Sequence, residues 1–179
     1  MNIFCIDKDA TIAAQQMCDK HIIKQIVESA QMLANCFSLS RLAQSDCPRT
    51  AKGTPRLHAY SKHPCTLWAM KTSENMQWLI DHALAMLDEK IYRYGSGHFC
   101  KDFLEWCDAH MAESNISSGS LTEFAIAISP EQKCRQHPNF DSLSPVEKYR
   151  LYYIYDKASF CTWKKRSAPE WFSLDLVKN

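Results

Sequence analysis

At 179 residues and a formal net charge of +1, the chain is long enough for one domain with a real core and too evenly charged to be a strongly basic nucleic-acid coat. Only four glycines among helix-forming Ala, Met, Leu, Lys and Gln favour helix, and no apolar run approaches membrane-spanning length. The opening MNIFCIDKDAT lacks the length and basic start of a signal peptide, so a cytoplasmic protein is expected. Nine scattered cysteines without a CxxC pair then read as mostly reduced thiols, with Cys36, Cys100, Cys107 and Cys161 as small core hydrophobes.

In chain order, Asn2 to Ile6 is a short apolar run suited to an edge strand or an extended arm. Asp9 or Thr11 can cap a first helix running to about Leu42. Ser45 to Lys62 turns to Pro, Gly, Thr and Arg, a loop carrying Arg56, His58 and Lys62. His63-Pro64 opens a second helical stretch from Cys65 to Tyr94, with a break expected near Thr72-Ser73 if it is not continuous, and Gly95 as its stop. A third helix is expected from about His98 to Ala112. Ser114 to Ser120 is a linker and Leu121 to Ile128 is suited to extended structure. Ser144-Pro145-Val146-Glu147 combines a cap, a first-turn proline and a glutamate three residues after the cap. A last helix is expected from Lys157, carrying Phe160 and Trp163. The architecture is mainly α, a single-domain helical bundle over residues 1–179 with room for one minor β-hairpin.

The stretch Met17 to Gln31, MCDKHIIKQIVESAQ, concentrates the candidate chemistry. On a helical wheel Ile23, Ile26, Val27, Ala30, Ala34 and Phe37 form an apolar face, with Asp19 in its middle. Lys20, Lys24, Glu28 and Gln31 follow one edge, and His21 lies just beyond Glu28. A structural amphipathic helix keeps its charges opposite the core, so this edge is read as lining a pocket. A buried, bonded Asp19 is the plainer alternative. Lys20 and Lys24, one turn apart, are a setting for a Schiff-base lysine or an anion clamp. Glu28, a turn past Lys24, is either a general base or its salt-bridge partner, and the salt bridge is the commoner case.

A metal site would need three or four converging ligands. Cys18 and His21 are the single helical pair, with His58, His63 and His98 elsewhere, so no metal and no cofactor are expected. Cys18 as a nucleophile is disfavoured because an adjacent carboxylate raises a thiol pKa. Without a Gly-rich phosphate cradle, phosphate binding must come from side chains and helix N-termini. Candidates are His58, Lys62, His63, Arg93, His98, Arg150 and Arg166, with Tyr149, Tyr153 and Trp163 as stacking faces.

The segments MNIFxxDxD, CDKHIIKQIVESAQML, HxxYSKHPCTLW, SENMQWL, YRYGSGH, VEKYRLYYI and WKKRxxPEWF together resemble a family of small proteins encoded mostly by tailed bacteriophages. The resemblance spans nearly the whole chain. It implies a phage or prophage origin and a role in the infected cell, without supplying an activity.

The preferred reading is an enzyme acting on a nucleotide or nucleic-acid base by glycosidic-bond cleavage or base modification. Asp19, Lys20, His21, Lys24 and Glu28 would be its catalytic set, and Asp19, Lys20, Lys24 and Glu28 are expected to share one cavity with His63. The alternatives are a binder that sequesters a nucleotide such as a host defence signal, and a host-takeover protein that binds another protein. The partner is a nucleotide or nucleic acid, not a membrane.

Overall fold

The computed structural model describes residues 1–173, and every structural statement below concerns those residues. Seven α-helices carry the fold: α1 (Ala10–Gln16), α2 (Asp19–Ala34), α3 (Leu39–Leu42), α4 (Pro64–Ala69), α5 (Ser73–Tyr94), α6 (Lys101–Ala109) and α7 (Pro145–Tyr152). The long α5 packs against α1, α2, α4 and α6, and the buried side chains form one contiguous core. The mainly α expectation holds, but the described residues contain no strand, so the minor hairpin does not form.

The run Asn2 to Ile6 is an extended arm inside the core. Ile3, Phe4, Cys5 and Ile6 are all buried, and Phe4 stacks on His21 at 4.2 Å and lies against Tyr149, Tyr152 and Tyr153. Such an arm must satisfy its backbone without a ladder. Asn2 Oδ1 accepts from the Ile3 and Phe4 amides, and Asn2 Nδ2 donates to Ala127 O. The segment Leu121 to Ile128 is served likewise by side chains. Glu74 and Asn75 accept the amides of Leu121 and Thr122, while Tyr149 Oη accepts from Ala127 N and donates to Ala125 O.

The helix expected from Asp9 to Leu42 is three helices. Asp9 caps α1 through the Ile12 amide as expected, but Met17 and Cys18 are extended. The break has a distant cause: the wholly buried Arg93 guanidinium donates to Met17 O and Gln15 O, taking carbonyls at the end of α1. The apolar face of α2 is also rotated from the wheel, because Ile22, Ile26 and Leu33 are buried whereas Ile23 is 44% exposed.

Local signals served better elsewhere. His63 caps α4, the break falls at Thr72, which caps α5, and Gly95 ends α5 in the left-handed region at φ 71°. The third helix is shorter than expected, and Ser144 and Glu147 form a reciprocal capping box on α7. No long last helix follows. A π-helical turn (Tyr153–Lys157) and a short 3-10 turn (Ala158–Phe160) lead into an irregular strap over residues 161–173. Asp19 holds this strap, accepting from the Lys164 amide and the Thr162 hydroxyl while its own amide donates to Thr162 O. Trp163 and Trp171 both donate from their indoles to Gln16. All nine cysteines are free thiols, eight of them buried.

Candidate active site around Glu28

Glu28 lies in the third turn of α2 and is buried. Its carboxylate gathers nitrogens from three directions. The Asn2 amide donates to Oε2 at 2.9 Å, the Met1 ammonium lies 3.7 Å from Oε1, and Lys24 Nζ approaches Oε1 at 3.2 Å. The arm explains this geometry: with Ile3 to Ile6 in the core, the first residues are drawn in beside α2. Met1 is further located by its sulfur, which accepts from Thr66 Oγ1 in α4.

His63, the cap of α4, completes the group. Burial pulls its pKa down, the nearby N-terminal ammonium adds to that effect, and Glu28 opposes it. The opposing pulls place His63 within electrostatic reach of both. One turn before Glu28, Gln25 has both side-chain amide atoms buried without a protein partner. That hydrogen-bonding capacity is left unspent by the fold.

The loop between α3 and α4 flanks this corner. It folds over Val27, Ala30, Gln31 and Ala34 of α2 to form an open groove of about 400 Å³, with Phe99 at its rim. From Cys47 to Ser73 the chain has no Asp or Glu but carries Arg49, Lys52, Arg56, Lys62 and Lys71. Lys52 and Lys62 are exposed. A local basic surface therefore coexists with a balanced total charge.

Of the expected catalytic set, the structure pairs Lys24 with Glu28, and His63, expected to bind ligand, lies within electrostatic reach of Glu28. Asp19, Lys20 and His21 lie seven to nine residues back along α2, about 10–14 Å away at 1.5 Å per residue. Asp19 is fully engaged by Arg93 at 3.0 Å and by the strap, which is the plainer alternative for that residue. Lys20 lies over the Phe160 ring, and His21 is buried with Nδ1 2.6 Å from Tyr153 Oη.

The expected ligand-binding residues divide in the same way. His58 and Lys62 are on the basic loop, with His58 Nε2 2.8 Å from Phe37 O. Arg93, Tyr149 and Tyr153 are wholly buried and have no exposed surface to offer a ligand. Arg93 is instead spent on Asp19, Glu89 and the end of α1. Arg166 bonds Glu89, Arg150 bonds Ile6 O and Asp7, and Trp163 holds Gln16. His98 sits apart, its pKa lowered by burial and then by Lys90. The N-terminal nitrogens were missed by motif reading, which considers side chains. The burial-prone run Ile3 to Ile6 was the available signal that the first residues are drawn inside.

Cys18, dismissed as a nucleophile, shows one unexpected property. Its thiol is lowered to about 5, chiefly by a hydrogen bond from Cys161 and secondarily by His21, against the effect of burial. It is wholly buried at the start of α2, away from Glu28.

A carboxylate facing amines at the edge of a basic loop is the equipment of an enzyme that works on nucleic acid. A family model described as pyrimidine dimer DNA glycosylase matches residues 1–102, more than half of the chain, and the chain belongs to that family. It is accordingly an enzyme acting on DNA bases by glycosidic cleavage. No curated protein and no solved structure matches it. The matched span contains Lys24, Glu28, His63 and the basic loop, and ends before α7 and the strap. No helix among the described residues is long and apolar enough to cross a membrane.

Proposed function

We propose that this chain excises pyrimidine dimers from DNA by attacking deoxyribose with an amine held against Glu28. The observation that carries the reading is the convergence of the Met1 and Asn2 nitrogens on that one buried carboxylate. Family membership supports the dimer as substrate. Lys24 is the other nearby amine, but its side chain is 66% exposed.

In this reading the amine lone pair attacks C1′ and the C1′–N1 bond breaks. Its electron pair leaves with the pyrimidine, which takes a proton from water. Glu28 accepts a proton from the attacking nitrogen and passes it to O4′ as the C1′–O4′ bond opens. What remains is a protonated imine whose positive charge faces the Glu28 carboxylate, where a buried opposite charge is most effective. Water then adds to C1′ and releases the amine, leaving an abasic sugar. Lys52 and Lys62 hold the flanking phosphates. The setting we assign is a phage or prophage protein working in the infected cell's cytoplasm, supported by the sequence resemblance.

The test is borohydride reduction during incubation with a duplex oligonucleotide containing one cyclobutane pyrimidine dimer. We expect a covalent adduct and, by peptide mass mapping, attachment at the α-amine of the first residue of the mature protein. Attachment at Lys24 would replace the α-amine by the lysine. Neither adduct nor excised base would overturn the reading.

A further inference from the structure

The loop between α3 and α4 carries a side chain that neither the fold nor the site above uses. Tyr60 is 62% exposed, and its backbone is left-handed at φ 53°. That conformation is unusual for a bulky residue and persists only where the surroundings impose it. The surroundings do so here. Asn35 Nδ2 donates to Ala59 O at 2.9 Å, His58 Nε2 lies 2.8 Å from Phe37 O, and the His63 amide donates to Tyr60 O at 2.9 Å. The backbone on both sides is thus tied down, while the Tyr60 side chain has no hydrogen bond or ring contact among the described residues.

The location gives this ring a use. The hydrogen-bonded turn from Tyr60 to His63 places it one turn from the residue that senses both Glu28 and the N-terminal ammonium. Exposed Lys62 lies between them. An amine against a buried carboxylate cannot reach C1′ of a nucleotide still stacked within a duplex, so the duplex must be opened locally. Enzymes that act on bases unstack the target, and proteins that kink DNA insert apolar side chains between base steps. A rigidly presented aromatic ring loses little freedom on insertion and stacks on any base.

We propose that Tyr60 is a positioning residue that enters the base stack at the lesion and holds open the gap through which the sugar meets the amine beside Glu28. This rests on the glycosylase reading above. Lys62 would bind a phosphate beside the gap.

The test uses Tyr60→Asn, because Asn tolerates a left-handed backbone while removing the ring, and Tyr60→Phe, which keeps it. Two substrates separate opening from chemistry: a duplex containing a pyrimidine dimer, and a single strand containing an abasic site, which needs no opening. We expect Tyr60→Asn to slow single-turnover excision from the duplex by about 10- to 100-fold, the loss of one base–aromatic stack. Borohydride trapping on the abasic single strand should match the parent, and Tyr60→Phe should restore duplex excision. A 2-aminopurine beside the dimer should brighten on binding the parent and not on binding Tyr60→Asn. Equal losses on both substrates, or no loss on the duplex, would overturn the wedge while leaving the glycosylase reading standing. A parent protein that neither excises nor traps would overturn both.

Discussion

The amide of Asn2 donates to Glu28 Oε2 at 2.9 Å, a bond that spans 26 residues and fixes where the chain's first nitrogens lie. The same carboxylate meets the Met1 ammonium and Lys24. Glu28 therefore has a structural duty, anchoring the arm, as well as the chemical one proposed for it, and substitutions have to separate the two.

Glu28→Gln does so. The amide oxygen still accepts from Asn2, but the proton acceptor and the negative charge are gone. Single-turnover excision should fall by about 10²–10⁴, the usual contribution of a positioned acid or base, while DNA affinity stays level. Equal loss of affinity, read by fluorescence anisotropy, would show that the carboxylate mainly builds the binding surface.

Arg93→Met tests the buried hub. Removing one partner from a buried ionic network typically costs about 3–5 kcal/mol. Here it leaves Asp19, Glu89 and the end carbonyls of α1 short of a donor. Urea denaturation should show a loss of that order, with Arg93→Lys recovering little because one ammonium cannot span all four acceptors. A near-neutral Arg93→Met would mean that the end of α1 finds other donors.

His82 makes stability depend on pH. It is buried, with Nδ1 2.9 Å from Ala10 O, Nε2 unpartnered, and its ring stacked on Trp78. Burial lowers its pKa from 6.5 to about 4. Because the folded value is depressed, the unfolded chain takes up the proton first as pH falls. The contribution is complete above pH 6.5 and is lost on descent towards 4. Its full size is about 3 kcal/mol. Denaturation midpoints for His82→Gln should vary less than the parent's across that window. Parallel curves would remove His82 as their cause.

Salt dependence reports the basic loop. Each lysine neutralising a duplex phosphate contributes about 0.9 to the slope of log affinity against log salt. Lys52→Gln and Lys62→Gln should each lower the slope by about that amount, on undamaged and dimer-containing DNA alike. An unchanged slope in both variants would move the DNA to another face.

Much of the fold was legible where the information is local. The capping box at Ser144 and Glu147, His63 before Pro64, and the left-handed Gly95 depend on backbone groups within a turn of the residue concerned. The expected pocket edge on α2 was legible only in part. Lys24 and Glu28 pair as helical spacing requires, but Ile23 is exposed, because the side of α2 that faces the core was fixed by its packing against α5, α4 and α6.

What the sequence by itself determined was a helical protein with charged candidates on α2 and a basic loop before α4, since composition, periodicity and cap chemistry act over a few residues. The tertiary structure alone decided which candidates meet. Arg93, seemingly suited to phosphate, crosses 74 residues of chain to Asp19 and is buried there. Glu28 finds amines at the start of the chain because the apolar arm must leave water, and burial, being non-directional, carries the polar nitrogens with it.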